Sequence, residues 1–154
     1  MDYDDLYNAT WENIPEAVNL PDGGYLVKGA SVGFIKPKEE GKSAKVLFTY
    51  NAKEPVSVDE DALADLPTGY ELETNELTYT IWIEKASDWN KVRSYLALHG
   101  VEIAGPIFAN GKLAFAKDFR GSEVIAQVTT SFYQNNAGET VPQQNLKSFQ
   151  RIEA

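Results

Sequence analysis

Cysteine is missing from this 154-residue sequence. Its absence excludes a disulfide scaffold, a thiol nucleophile and any cysteine-based zinc or iron–sulfur site. Histidine occurs once, at position 99, and a lone histidine without a nucleophile beside it is a poor catalytic candidate. The sequence also has no phosphate-binding P-loop, no G-x-S-x-G elbow and no H-E-x-x-H motif. We therefore predict that the protein is not an enzyme and that it uses no cofactor and no metal.

Long apolar runs are missing as well. No stretch approaches the ~20 residues needed to span a bilayer, and the acidic start Met-Asp-Tyr-Asp-Asp is unlike the basic start of a signal peptide. Hydrophobic residues make up 43% of the chain and charged residues 24%, which is typical of a globular domain. The length suits one such domain. We expect a soluble cytoplasmic protein with no membrane partner.

Basic residues are absent from two stretches of the chain. Residues 1–22 hold six acids and residues 54–76 hold eight, with no lysine or arginine in either. The net charge is −9, so the rest of the chain carries +5, and residues 23–53 alone carry +4. The acidic stretches either only keep the protein soluble or lie apart from a basic surface that selects the partner.

The basic stretch coincides with a predicted β-hairpin. Residues 24–35 and 44–52 have the composition of strands and flank a turn rich in lysine. The lysines of this turn are Lys36, Lys38 and Lys42. Gly29 and Gly33 interrupt the first strand, which predicts strong coiling of the kind found in small closed barrels.

Alternation and turn residues predict further strands. They cover residues 74–84, 106–109, 112–116, 123–133 and 139–150, with Asn110-Gly111 as a tight turn. In the first of these strands, alternation places Trp82 on the polar face. An aromatic ring there either packs under a loop or offers a platform for a ligand.

Two helices are predicted. Residues 87–99 have helical periodicity, with Ser87 or Asp88 as the N-cap. The inward stripe of this helix consists of Trp89, Val92, Leu96 and His99. Residues 59–66 predict a shorter helix that is capped by Asp59. Its clustered acids lack the pattern of a calcium loop, so a solvated acidic loop is the favoured interpretation.

These elements predict a mainly β protein with five or more antiparallel strands, in which the one substantial helix lies around residues 87–99. The domain covers residues 23–154. Residues 1–22 precede it as an N-terminal arm that is either a short helical turn or irregular, and in which Trp11 would be a packing anchor.

Lysines alternate with aromatic residues on the predicted strands. Proteins that bind single strands combine a positive groove for the backbone with aromatic faces on which bases stack. Most aromatic residues on strands nevertheless belong to the core, and exposed lysines are ordinary. The candidate nucleic-acid-binding residues are Lys28, Phe34, Lys36, Lys38, Lys42, Lys45, Tyr50, Trp82, Lys117 and Arg120.

Three segments of the chain resemble the OB-fold single-stranded DNA-binding proteins of tailed bacteriophages. The first is Leu20-Pro-Asp-Gly-Gly-Tyr-Leu-Val-Lys28, which is similar to their entry into the first strand. The second is the lysine-rich turn and strand from Lys36 to Phe48. The third consists of residues 121–128 and 145–149, which are similar to their final strand pair. Residues 53–105 lie outside the resemblance.

The resemblance implies an OB-like β-barrel that binds single-stranded DNA without catalysis in phage-type replication or recombination. It also implies replication or recombination proteins as partners and, for a viral protein, the host cytoplasm as its location. The oligomeric state stays open, with a dimer among the alternatives. The rival hypothesis is an acidic protein-interaction or virion structural module that does not bind DNA. A metal enzyme, which would need Asp59, Asp61, Asp65 or Glu71 to converge, ranks last.

Overall fold

The computed structural model describes residues 19–152, which form a mainly β fold, as predicted. The strands are β1 (Gly23–Ile35), β2 (Ala44–Val58), β3 (Glu76–Ile83), β4 (Phe108–Ala109), β5 (Lys112–Leu113), β6 (Glu123–Gln134) and β7 (Thr140–Gln150). The α-helices are α1 (Glu60–Ala64), α2 (Trp89–Leu98) and α3 (Ala116–Phe119). Single 3-10 turns at Leu72–Thr74 and Ala86–Asp88 precede β3 and α2.

Five strands form one antiparallel sheet in the order β3-β2-β1-β6-β7, and β4 and β5 form a small second sheet. Strand β1 is central. It pairs with β2 along its whole length, but with β6 only over residues 23–28. The β1–β2 register shifts at three places, and such bulges bend and twist the strands that carry them.

Strand β2 is longer than its predicted range of 44–52. It continues to Val58, which lies opposite Gly23 at the start of β1. The extension contains Pro55 and exposed polar residues, so its composition gives no strand signal. It forms because the first half of β1 has backbone groups to satisfy on both edges, and β6 satisfies only one of them.

The core lies on one face of the sheet. The inward face of β6 consists of Val124, Ala126 and Val128, which are fully buried. Helix α2 covers this core with Val92 and Leu96. Its predicted stripe omits Tyr95, which is buried as well.

Two other predictions about α2 need refinement. Asp88 is the N-cap residue, one of the two predicted, but its side chain does not cap the helix; its carboxylate accepts the backbone N–H groups of Glu84 and Lys85, at 2.8 and 3.1 Å. Those two bonds, with the nearby Lys91, hold the pKa of Asp88 below its usual range. Trp89 is only half-buried, because it lies at the rim of the core.

The Asn110-Gly111 turn forms as predicted, but its strands are shorter. Both residues have positive φ, at 54° and 76°, as tight hairpin turns require. Strands β4 and β5 have only two residues each, whereas ranges of 106–109 and 112–116 were predicted. The chain leaves β5 early because Phe115 and Phe119 turn into the core with α3.

Most of the predicted N-terminal arm, including its helical turn and Trp11, lies outside the described residues. Of its last residues, Leu20 is buried and its carbonyl accepts the side-chain amide of Gln144 at 2.9 Å. The hydroxyl of Tyr25 donates to the carbonyl of Pro21 at 2.7 Å. Between residues 19 and 152, no helix has the length and apolar character that a membrane span needs.

Candidate nucleic-acid interface

Trp82 and Lys45 form a cross-strand pair on the outer face of the sheet. They are direct partners in the β2–β3 register. The Nζ atom of Lys45 lies 5.6 Å from the centroid of the Trp82 ring, within the range of a cation–π interaction. The indole is 54% exposed. Trp82 is therefore an exposed ring and does not pack under a loop.

The lysine-rich turn borders this pair. An open cleft of about 380 Å³ separates the turn from the Trp82 ring. We call it the first cleft. Its lining residues are Ile35, Lys36, Pro37, Lys38, Glu39, Lys42, Ser43, Lys45 and Trp82. The Ser43 hydroxyl donates to the Glu84 carboxylate at 3.1 Å, which ties the turn to the end of β3.

Lysine is the dominant charge in the first cleft. The lining contains four lysines and one acid, Glu39. Glu39 lies 3.9 Å from Lys42, but both side chains are highly exposed, so the pair is weak and solvent-screened. A ligand that enters the cleft would meet a net positive field and one aromatic face.

Strand pleating explains why these side chains meet. Ile35, Lys45 and Trp82 occupy one cross-strand row on β1, β2 and β3. Successive side chains point to opposite faces, so the neighbouring row of Phe34, Val46 and Ile81 points to the core side. The outer row is thereby left at the surface where the turn leaves β1.

A second cleft, of about 670 Å³, lies at the end of β1 on the side of Phe34. Its lining residues are Val32, Gly33, Phe34, Lys36, Phe108, Gly111, Lys112, Leu113, Ala116 and Arg120. The predicted site residues Phe34 and Arg120 are therefore close together, and Lys36 lines both clefts. Sequence reasoning missed Phe108 and Lys112. Their position on either side of the Asn110-Gly111 turn was the available signal.

Tyr50 is the clearest correction among the candidate residues. Its side chain is fully buried and contacts the Phe119 ring, so no base can stack on it in this structure. Its hydroxyl accepts from the Tyr95 hydroxyl and donates to Nε2 of His99. The Nδ1–H of His99 donates to the Tyr95 carbonyl at 2.8 Å. This chain of bonds satisfies every polar group with His99 neutral.

Burial shifts the pKa values of the three side chains in this hydrogen-bonded cluster. It raises the pKa of both the Tyr50 and the Tyr95 hydroxyl and lowers the pKa of His99. His99 therefore acts through its hydrogen bonds, because a charge–dipole contact with the helix end would require the charged imidazole that burial disfavours. The cluster has a structural role in joining α2 to β2.

Lys28 and Lys117 line neither cleft. Lys28 is exposed on β1 opposite Glu123, and Lys117 is exposed on α3. The structure thus groups seven of the ten candidates around two clefts that share Lys36, and it separates Lys28, Tyr50 and Lys117 from them.

The acidic residues of the second acidic stretch lie at the far end of β2 from the lysine turn. Six of the eight, from Asp59 to Glu73, follow Val58 in and around α1 and the 3-10 turn before β3, whereas Glu54 lies in β2 and Glu76 begins β3. Across residues 19–152, no three histidine or acidic side chains come close enough to hold a metal ion. Asp59, Asp61, Asp65 and Glu71 therefore do not converge. Instead, Asp59 caps α1, as predicted, by accepting the backbone N–H of Asp61 at 2.9 Å.

No protein-family model matches this chain, and a search of the curated proteins finds no significant match.

Proposed function

We propose that this protein is a non-catalytic, sequence-independent single-stranded DNA-binding protein. The first cleft is the main support. It places an exposed indole face beside four lysines, on a surface where the sheet needs neither for packing. Aromatic faces accept any base and lysines attract the phosphates, so this combination favours nucleic acid without selecting a sequence.

The strand arrangement supports an OB-like barrel as the scaffold. The edge strands of the sheet, β3 and β7, approach each other where the Phe149 ring lies edge-on to Tyr79, with centroids 4.8 Å apart. Closing the sheet there would give a five-stranded barrel with α2 following the third strand, in the manner of OB folds. OB folds bind oligonucleotides on the face of their second and third strands, and Lys45 and Trp82 occupy that face here.

The hairpin of β6 and β7 offers a second point of agreement. Beyond Val128 it extends past the start of β1, and it carries Phe132 and Tyr133 exposed by 69% and 50%. OB folds use both the loop after the first strand and the loop between the last two strands to contact oligonucleotides. The lysine turn and this hairpin are the equivalent segments.

The resemblance to phage proteins extends the proposal to its setting. A protein of this kind would protect single-stranded DNA during replication or recombination and would act with the proteins of those processes. Its location would be the cytoplasm, or the host cytoplasm for a viral protein.

Fluorescence anisotropy of a labelled oligothymidine tests the proposal. The wild-type protein should bind it at low salt, bind a mixed-sequence strand with similar affinity, and lose affinity linearly on a log–log plot as salt increases. Absence of binding at low salt would refute the proposed function. A variant with Trp11→Phe and Trp89→Phe retains Trp82 as its only tryptophan. Its fluorescence should be quenched during the same titration, because the bases would stack on that ring.

The rival function is an acidic protein-interaction module. It is favoured by the exposed acids of α1 and the adjoining 3-10 turn, among them Glu60, Asp61, Glu71 and Glu73. In that case the protein would ignore oligonucleotides at every salt concentration. The anisotropy experiment therefore distinguishes the two functions directly.

A further inference from the structure

We propose that the second cleft continues the DNA track, so that a bound single strand passes over Lys36 and places its next nucleotides between Phe108, Lys112 and Arg120. This inference rests on the proposed function and adds a separate binding subsite to it. The subsite is built by residues 108–120, a segment that lies between α2 and β6.

The second cleft carries a net positive charge. The lining of the second cleft includes Lys36, Lys112 and Arg120 and no acidic residue. Among the charged residues that the structure describes outside the two clefts, acids outnumber lysines and arginines, so an acid-free cleft with three cations is a local exception. Its field complements a phosphodiester backbone, and arginine can bind a phosphate with two parallel hydrogen bonds.

The second cleft also contains an exposed aromatic ring, that of Phe108. Phe108 is 40% exposed, yet its ring is held in place by edge-to-face contacts. Its centroid lies 5.2 Å from that of Phe34 and 5.6 Å from that of Trp89. A ring fixed in this way loses little entropy when a base stacks on it, which makes it a preorganised platform.

The two clefts meet at the end of β1. Phe34 and Ile35 point to opposite faces of β1, so Phe34 lines the second cleft and Ile35 lines the first. Lys36 follows them at the end of the strand and lines both clefts. A single strand of DNA that passes over Lys36 from one cleft to the other would keep one phosphate at this lysine. Its bases would enter the clefts on either side.

The segment that builds the subsite is firmly attached to the sheet. Gly29 donates its N–H to the Ser122 carbonyl at 2.7 Å and accepts the N–H of Gly121 at 2.8 Å. Phe119, at the end of α3, is fully buried beneath them. Arg120 is therefore attached to a fixed backbone, and the cleft is largely formed before a ligand arrives.

Oligonucleotide length provides the test. A thymidine oligomer of about 4 nucleotides should occupy the first cleft alone, whereas one of about 12 should reach both, since OB folds cover about 4–16 nucleotides. The Lys112→Ala/Arg120→Ala variant should bind the long oligomer at least about tenfold more weakly and reduce its salt slope by about 1.4, the value for two lost single-strand phosphate contacts. Its affinity for the short oligomer should stay unchanged.

An Arg93→Ala/Lys147→Ala variant is the matched control. It removes the same charge from exposed positions that line neither cleft, and it should bind both oligomers like the wild type. Equal loss of affinity for the two lengths in the cleft variant, or no loss relative to the control, overturns the second subsite. Either result leaves the proposed function intact, whereas a wild-type protein that binds neither oligomer refutes the function and the subsite together.

Discussion

Lys45 and Trp82 face each other across β2 and β3, with the lysine Nζ 5.6 Å from the centroid of the indole ring. The pair combines a positive charge with an exposed aromatic face, the two features that the proposed binding of single-stranded DNA requires. The lysine also attracts the electron-rich face of the ring, which limits the rotamers that Trp82 samples before a ligand binds. The pair is thus preorganised for a ligand that is both anionic and flat.

Removing the Trp82 ring should weaken binding and spare the fold. We expect Trp82→Ala to reduce oligothymidine affinity by about 5- to 150-fold, equivalent to ~1–3 kcal/mol for one base stack. Trp82→Phe keeps an aromatic face and should recover most of the affinity. Because the ring is 54% exposed, the free energy of unfolding in urea should change little in either variant. Equal binding by all three proteins would exclude Trp82 as a stacking residue.

Neutralising the lysine turn should act through salt dependence. Lys36→Ala/Lys38→Ala/Lys42→Ala removes three of the four cations of the first cleft. The slope of log affinity against log salt should become shallower by about 2, since each lost single-strand contact contributes about 0.7. The control is Arg93→Ala/Lys147→Ala/Arg151→Ala, which removes the same charge elsewhere and should keep the wild-type slope. Unchanged binding of the turn variant would contradict the site assignment.

Local patterns were sufficient to predict much of the fold and the turn that carries the site. Alternation in residues 74–84 identified β3, which the structure places at Glu76–Ile83, and put Trp82 on the polar face, because the other face of this strand is consistently apolar. The extension of β2 to Val58 escaped prediction because it depends on which partner the start of β1 finds. Pairing of this kind is a tertiary effect that local composition does not encode.

Local sequence patterns also predicted part of the site. Lysines in a turn are exposed almost of necessity, so Lys36, Lys38 and Lys42 could be selected from sequence. The burial of Tyr50 was not recognised from the sequence. An aromatic side chain on a strand points inward or outward according to the register of the strand, which only the whole sheet defines. The meeting of β1 with residues 108–120, which creates the second cleft, joins segments more than 70 residues apart.

The buried histidine should make stability depend on pH. Burial lowers the pKa of His99 below the 6.5 of the unfolded chain, so the unfolded state takes up a proton first as the pH falls. Stability should be complete above pH ~6.5 and should decrease below it by up to about 1.4 kcal/mol per pH unit, until the folded pKa is reached. Urea unfolding between pH 7.5 and 5.5 would measure the slope. This window lies above the usual carboxylate pKa of about 4, so carboxylates contribute little to the slope.

His99→Gln is the comparison for that slope. Glutamine does not titrate, and His99 is the only histidine in the chain, so the variant should be less stable at pH 7.5 yet nearly independent of pH in this window. The loss at neutral pH is expected because the Tyr50 hydroxyl would no longer have its imidazole acceptor. A wild-type slope that survives in the variant would assign the pH dependence to other groups.

Gly29 fixes the distance between β1 and α3, and a methyl group there should destabilise the protein. A Cβ atom at this position would lie 2.5 Å from the Phe119 carbonyl oxygen and 3.0 Å from its ring. The backbone on both sides is held by hydrogen bonds to Gly121 and Ser122, so α3 cannot move away without losing them. We expect Gly29→Ala to reduce the free energy of unfolding by about 1–3 kcal/mol, the usual cost of overpacking.

Gly33→Ala, in the same strand, is the matched control. No heavy atom lies within 4 Å of the Cβ position there, so this variant should unfold within about 0.5 kcal/mol of the wild type. Because α3 also positions Arg120, Gly29→Ala should in addition weaken binding of a long oligothymidine more than binding of a short one. If the two glycine variants unfold at the same urea concentration, the contact of Phe119 with Gly29 is not close enough to exclude a methyl group, contrary to this prediction.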